Sequence, residues 1–352
     1  MDLSADHIQA HVLSHYLGLG GARVVPLGAG LINQTFLVSH GDARFVLQRL
    51  NPIFSAAINR NIEAVTRRLA EVGMVTPRLV PTQDGRLWVD LGDAGLWRMQ
   101  THVDGVSFDQ VASLGQARAA GALVARFHRA LDGLDHEFVG MRTGVHDTNL
   151  HLARLREALA GHANHRLFQA VHALAAHLLT AADCLPRLPD LPNRVGHGDL
   201  KLNNILFAGS QMPAAEQAVC LVDLDTLGPL ALAHELGDAW RSWCNQSPED
   251  ASKAGFDLEV FQASFEGYRD NLGRALGDDE RRACLYGIEW ISLELAARFA
   301  ADALRESYFG WSPERFAGRG EHNLARAQGQ WALHQAVRAT RGQRARILEI
   351  HT

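Results

Sequence analysis

Apolar and polar residues alternate along much of the first hundred residues with the period of two that marks a strand with one buried face. Residues 22–26 (ARVVP) and 35–38 (TFLV) predict two strands, with Gly28-Ala29-Gly30 as a turn between them. A third is expected at 44–50 (RFVLQRL), after the turn His40-Gly41-Asp42. The period then changes. Over 59–72 (NRNIEAVTRRLAEV), Ile62, Val65, Leu69 and Val72 recur at helical spacing, and Gly73 stops the helix. Strands follow at 78–80, 86–91 and 96–103 (LWRMQTHV), the last broken by Asp104-Gly105. Residues 113–131 (SLGQARAAGALVARFHRAL) predict a helix, and the remainder reads helical apart from strand patterns at 205–208 (ILFA) and 218–225 (AVCLVDLD). The pattern describes an α+β chain: a β-rich domain over 1–100 and a mainly α-helical one over 101–352, with no internal repeat and no low-complexity tether. A cleft between two such lobes is a usual place for a ligand.

Composition narrows the classes. A chain of 352 residues, 47% hydrophobic and 21% charged, can bury a sizeable core. Its net charge of −5 provides no basic surplus for nucleic acid. The opening MDLSADHIQAHVLSHYLG mixes charge and histidine with apolar residues, unlike a secretory leader, and no stretch approaches the ~20 apolar residues of a membrane span. A cytoplasmic protein with neither a nucleic-acid nor a membrane partner is expected. The four cysteines, at 184, 220, 244 and 284, lie far apart without a C-x-x-C pair and read as thiols in a reducing compartment. The 18 histidines are scattered, with no H-E-x-x-H spacing.

The chemistry concentrates in GHGDLKLNNILF, residues 196–207, which sets His197, Asp199 and Asn204 in the spacing H-x-D-x-x-x-x-N before an apolar run. Asp223 follows nineteen residues after Asn204, inside LVDLDTLG. Strand, turn, strand and then an acid places Asn204 and Asp223 at the open ends of neighbouring strands. A hard cation such as Mg²⁺ takes oxygen ligands of this kind and completes its shell with waters and phosphates. Asp199 would face the same space, where it can orient an attacking hydroxyl or accept its proton. The same residues are also good turn formers, with Asp225 a cap, but that reading leaves the acids at the strand exit unexplained. His197 is expected to brace the loop by hydrogen bonds.

HGDLKLNNILF followed by LVDLDT resembles the catalytic loop and metal-binding strand of the kinase-like phosphotransferases, the superfamily of protein kinases, aminoglycoside phosphotransferases and choline kinases. The resemblance implies a bilobal protein-kinase-like fold, with a small antiparallel β-rich N-lobe and a larger α-helical C-lobe. It also implies ATP and Mg²⁺ as cofactors and transfer of the γ-phosphoryl group to an alcohol. By position it makes Asp199 the catalytic acid, Asn204 and Asp223 the metal ligands, Lys201 a contact to the γ-phosphate and Asp225 the second acid of a D-x-D pair. In the first lobe, LGAGLINQTFLV brings Gly28 and Gly30 to the phosphates, with Asn33 where the usual loop has a third glycine and Thr35 just beyond. Gln48 stands at the position of the ATP-binding lysine, and Glu63 matches that lysine's acidic partner. Arg49 is adjacent, but strand alternation points it away. Either Gln48 takes a weaker polar role, or Arg49 bulges in, or Lys201 carries more of the phosphate charge. The main chain around Met99 to Thr101, in the expected hinge, would bind the adenine edge.

Two further segments, 291–309 (ISLELAARFAADALRESYF) and 320–330 (GEHNLARAQGQ), together with GAGLINQTF and FVLQRLN, resemble the N-acetylhexosamine 1-kinase group. That group phosphorylates the anomeric hydroxyl of N-acetylglucosamine or N-acetylgalactosamine, and the similarity runs from about residue 20 to 340. Read from its residues, 291–309 is an amphipathic helix: Leu293, Ala297 and Ala300 or Ala301 face the core, while Glu294, Arg298 and Asp302 share one stripe. The stripe is either a solvated face or the route by which Arg298 and Asp302 reach an acceptor, with Tyr308, Phe309 and Trp311 as aromatic surface. In HELGDAWRSW, 234–243, Asp238 and Arg241 are expected to pair and hold the catalytic loop, and Glu235 replaces a frequent aspartate of the superfamily. A sugar kinase is the expected activity, with a small-molecule acceptor as partner. An aminoglycoside, choline or homoserine kinase and a nucleotide-binding pseudokinase stay open, the last supported by Gln48 alone.

Overall fold

The computed structural model describes residues 5–28 and 32–350. The chain divides into two compact units, one made of Met1–Gly105, Ala130–Arg142 and Cys220–Gly228, the other of Val106–Arg129, Thr143–Val219 and Pro229–Thr352.

The first unit begins with helix α1 (Ala5–His11) and continues through strands β1 (Arg23–Pro26), β2 (Gln34–His40) and β3 (Ala43–Arg49) to helix α2 (Ile58–Glu71), then β4 (Val89–Asp90) and β5 (Leu96–Thr101). The strands form one antiparallel sheet in the order β1-β2-β3-β5-β4. Alternation sorts its faces. Phe36, Val38, Leu47, Trp97 and Met99 are buried together with Ile8, Val12, Leu13 and Tyr16 from the N-terminal segment. The intervening residues Thr35, Gln48 and Arg98 lie across from one another in register and turn to the opposite face. Helix α2 buries Ile58, Ile62, Val65 and Leu69, while Val72, expected on the same face, lies just past the helix end and is exposed.

Two expected strands shrink for local reasons. Around 78–80 only Leu79 bridges to Gln100, because Pro77 and Pro81 on either side have no N–H to extend the ladder. At 86–91 only Val89 and Asp90 pair, since Arg86 is drawn into a turn closed by Thr82, whose N–H donates to the Arg86 carbonyl (2.8 Å).

The second unit contains most of helix α3 (Leu114–Leu131), then α4 (Thr148–Gly161) and α5 (Phe168–Asp183). Short strands β6 (Arg194–Gly196) and β7 (Ile205–Phe207) precede and follow the 197–204 loop, and β8 (Ala218–Leu221) and β9 (Gly228–Leu230) come next in sequence. β6 and β9, three residues each, carry no alternation long enough to read. Helices α6 (Leu232–Trp243), α7 (Leu258–Asn271), α8 (Asp278–Arg305), α9 (Arg319–Ala339) and α10 (Arg341–Ile347) complete the chain. α8 is the axis of this unit and packs against α4, α5, α6 and α9, burying Leu293, Ala297, Ala300 and Ala301 among Leu155, Val171 and Leu178. α6 approaches α8 backbone to backbone: a Cβ on Gly287 would lie 2.0 Å from the Ala233 carbonyl oxygen, so only glycine allows this crossing. Among the described residues, the cysteines are free thiols and no helix is long and apolar enough to cross a membrane.

Candidate active site

The loop 197–204 is held from α6. Glu235, completely buried near the start of that helix, accepts the main-chain N–H of His197 (2.7 Å, Oε1) and of Gly198 (2.9 Å, Oε2), and His128 Nε2 lies 3.2 Å from Oε1. Burial alone would raise its pKa, but hydrogen bonding to His128, the nearby imidazoles and the loop N–H outweigh it, and the carboxyl is held below its usual range. Two turns on, Ser242 Oγ accepts the Leu202 N–H (3.1 Å) and Trp243 Nε1 donates to the Leu200 carbonyl (2.8 Å). Residues 235, 242 and 243 share a helix face, so one rigid element fixes the loop at four main-chain groups. The Glu235 found in sequence is therefore the bracket of the loop, a role that needs only a carboxylate at this point on α6.

Within the loop, the Asp199 N–H donates to His197 Nδ1 (3.3 Å), the bracing geometry expected of that histidine. Lys201 Nζ lies 2.9 Å from Asp199 Oδ2, both side chains partly exposed. The chain contains only two lysines, Lys201 and Lys253, among 34 basic residues, so its rare compact ammonium stands beside this carboxylate. Asn204 donates its amide nitrogen to the Asp199 carbonyl (2.8 Å), which leaves its oxygen as the acceptor end. Asp238 and Arg241 pair as expected, with Nε and Nη2 at 3.1 and 2.9 Å from Asp238 Oδ1, and both are buried. Arg241 is held above its usual pKa: burial opposes the charge, but Asp238 and Glu249 outweigh it, and Asp199 contributes to the same field.

In the first unit the sequence expectations are partly redistributed. Gly28 adopts φ +71°, a left-handed turn that favours glycine. Gly30 lies outside the described residues. Asn33 does not sit open as a third loop residue: its Nδ2 donates to Asp225 Oδ2 (2.6 Å) and its Oδ1 accepts the Asn51 N–H (2.9 Å). Gln48 Oε1 accepts from Arg98 Nε (2.9 Å) and Nη2 (2.7 Å), and its Nε2 faces Thr35 Oγ1 at 3.4 Å. Arg98 is fully buried, ion-paired to Asp225 and within 3.4 Å of Asn59 Oδ1. Glu63 is not the acidic partner at this point; it pairs with Arg78 at 3.1 Å, and Asn59, one turn earlier on α2, faces the buried charge. Arg49 points the other way and donates to the Ala94 carbonyl (2.9 Å). The Met99 carbonyl accepts from Val80 N (2.9 Å) and Thr101 N donates to the Arg78 carbonyl (2.8 Å), so these two main-chain groups of the expected hinge are already paired. Asp223 takes a left-handed backbone, φ 63° and ψ 57°, a conformation that aspartate tolerates and that clusters at functional sites.

Of the acceptor candidates, Arg298 is half-buried, 3.7 Å from Glu294 Oε1 and stacked over Phe309 at 5.7 Å from the ring centroid. Asp302 is taken up by structure: its oxygens accept from the N–H groups of Ser307 (3.0 Å), Tyr308 (2.9 Å) and Phe309 (2.9 Å) and from Asn323 Nδ2 (2.8 Å). It therefore shapes the loop that presents the exposed Tyr308 rather than facing an acceptor itself. Glu294 is not on a solvated stripe. It is fully buried, accepts from Thr148 Oγ1 (2.9 Å) and lies 3.4 Å from His146 Nδ1 and 3.7 Å from His151 Nε2. Burial pushes its carboxyl up, but His146 and Arg298 pull it down further, to about 2.

Among the described residues no three His, Cys, Asp or Glu side chains converge as a metal centre. The metal ligands expected from the sequence, the Asn204 side-chain oxygen and the Asp223 carboxylate, are both hard oxygen donors. This donor set, all hard oxygen and few in number, suits Mg²⁺, which keeps several waters and phosphate oxygens.

The model of the phosphotransferase enzyme family matches residues 23–286. Among solved structures, the chain is similar to a microcompartment-associated aminopropanol kinase, at 19% identity over 96% of this chain and 99% of that one, with a TM-score of 0.60. An amicoumacin kinase in complex with AMP-PNP, Ca²⁺ and Ami is 16% identical over 95% of this chain and 94% of its own, with a TM-score of 0.64. A choline kinase from Cryptosporidium parvum Iowa II is 12% identical over 97% of both chains, with a TM-score of 0.61. At these identities the likeness is one of fold, the kinase-like α+β architecture.

Proposed function

Because the chain belongs to the phosphotransferase enzyme family, we propose that it is an ATP- and Mg²⁺-dependent small-molecule kinase that phosphorylates a sugar, at the anomeric hydroxyl of an N-acetylhexosamine. The observation that carries the kinase reading is the loop of Asp199, Lys201 and Asn204, fixed at four main-chain groups by α6. Phosphoryl transfer asks little covalent chemistry of a protein; it asks for position and for charge where charge develops. Asp199 orients the attacking hydroxyl and takes its proton. Lys201, 2.9 Å from that carboxylate, offsets charge on the transferring group. Asn204 and Asp223 would hold the metal, which when bound neutralises phosphate oxygens.

The acceptor reading rests on Arg298, steadied by Glu294 and Phe309, and on Tyr308. A fixed guanidinium suits a neutral, hydrogen-bonding acceptor and repels a cationic one. The names of two neighbours, an aminopropanol kinase and a choline kinase, favour the rival reading of an amino alcohol as acceptor. ADP release measured with N-acetylglucosamine, N-acetylgalactosamine, choline, 1-amino-2-propanol, homoserine and an aminoglycoside separates them. The proposal expects kcat/KM for an N-acetylhexosamine at least tenfold above the rest. A preference for any cationic alcohol overturns the sugar assignment, and no turnover on a wider alcohol panel would favour a pseudokinase.

A further inference from the structure

Arg98 lies in β5 with its side chain fully buried. It joins four segments: β5 itself, β3 through Gln48 Oε1 (2.9 and 2.7 Å), α2 through Asn59 (3.4 Å) and the loop after β8 through Asp225. Asn33 adds the turn before β2, donating to the other Asp225 oxygen at 2.6 Å. A guanidinium and a carboxylate withdrawn from water stabilise a fold little more than apolar residues of the same volume, and often less. What such a pair can do is select one arrangement of the segments that carry it. Asp223 stands two residues before Asp225 with φ 63°, a left-handed backbone that is strained for most non-glycine residues and least so for aspartate and asparagine.

We propose that Arg98 is a positioning residue for Asp223: through Asp225 it locks the acidic loop against the sheet and α2, and through the Gln48 oxygen it turns the Gln48 amide nitrogen towards Thr35 as a neutral donor. The buried cation beside Gln48 thus comes from β5 and pairs with the loop, while the helix contributes a neutral Asn59. The role of Asp223 as metal ligand rests on the function proposed above; the tether does not.

The test compares wild type, Asp225→Asn, Arg98→Met and the double variant, which leaves no unpaired buried charge and carries the test where Arg98→Met alone fails to fold. Hydrogen exchange of the free protein is read over 221–227. Exchange at least tenfold faster in each variant, with the double no worse than either single and with α8 and α9 unchanged, supports the tether. Wild-type exchange in the folded double variant overturns it. The second readout is Mn²⁺ binding with AMP-PNP, followed by the spectrum of free Mn²⁺. A half-saturating concentration raised tenfold or more in the double variant, at unchanged acceptor KM, is the expected result. Wild-type Mn²⁺ affinity despite a loosened loop would reduce Arg98 to a structural residue and overturn the positioning role. Absence of Mn²⁺ binding by wild type would contradict the metal reading of the site, while the exchange result still decides the tether.

Discussion

Replacing Glu235 by Gln tests the bracket that holds the loop 197–204. The two side chains have the same shape, so packing is preserved. The carboxylate accepts three bonds, from His197 N and His128 on Oε1 and from Gly198 N on Oε2. In Gln one of those oxygens becomes an NH₂ group, and whichever end it takes, a loop N–H then faces another donor. A buried donor left unsatisfied costs about 1–3 kcal/mol, and each remaining bond loses about 1 kcal/mol on going from a charged to a neutral acceptor. With the amide on the Gly198 side two bonds remain and the total is about 3–5 kcal/mol, a large share of the stability of an ordinary domain. Equilibrium urea unfolding should show a loss of this size. The ADP-release assay should show kcat falling by tenfold or more while the KM for ATP changes little, because the displaced residues are His197 to Asp199 and the sheet is untouched. A variant with less than 1 kcal/mol of lost stability and wild-type kcat would refute the claim that Glu235 fixes the loop.

Other predictions follow from the same geometry. Gly287→Ala gains helix propensity but drives a methyl group into the Ala233 carbonyl, so it should lower stability by about 1–3 kcal/mol and disturb α6 with it; an unchanged melting temperature would contradict the close crossing. Burial holds His334 and His234 down to about 4, against 6.5 for a free imidazole. The unfolded chain therefore binds these protons first, so the stability they contribute is complete above pH 6.5 and is lost as pH falls from 6.5 to 4, on the order of 3 kcal/mol for each. His146, raised because Glu294 outweighs its burial, works in the opposite direction and offsets part of this. Thermal melts across that window should show a falling midpoint, and a flat profile would contradict the assignment.

The sequence made the sheet, α2 and the loop 197–204 legible because each carries its own period or spacing. Phe36, Val38 and Leu47 alternate, Ile62, Val65 and Leu69 recur at helical spacing, and His197, Asp199 and Asn204 fall within eight residues. What escaped reading depends on residues brought together from far apart. Gln48, Arg98 and Asp225 meet across long loops, and in its strand Arg98 looks like any outward polar residue until β3, α2 and the acidic loop cover it. Glu63 and Asn59 differ by one helical turn, and only the position of α2 on the sheet decides which of them faces the buried charge. Asp302 and Glu294 shared a stripe with Arg298, yet the loop 306–311 closes over one and the segment 146–151 over the other. Ser242 and Trp243 carry no motif at all; they matter because α6 aligns them with Glu235.

We propose that Asp199 and its neighbours move a phosphoryl group from ATP to the anomeric hydroxyl of an N-acetylhexosamine. ³¹P NMR of the protein with ATP, Mg²⁺ and N-acetylglucosamine or N-acetylgalactosamine, beside an Asp199→Asn control, tests it most directly. The expected result is a new sugar phosphate whose phosphorus couples to the anomeric proton, with turnover in the control reduced far more than its affinity for ATP. A phosphate on another hydroxyl, or none with either sugar, would contradict the assigned acceptor, and equal product from the Asp199→Asn protein would contradict the assigned chemistry.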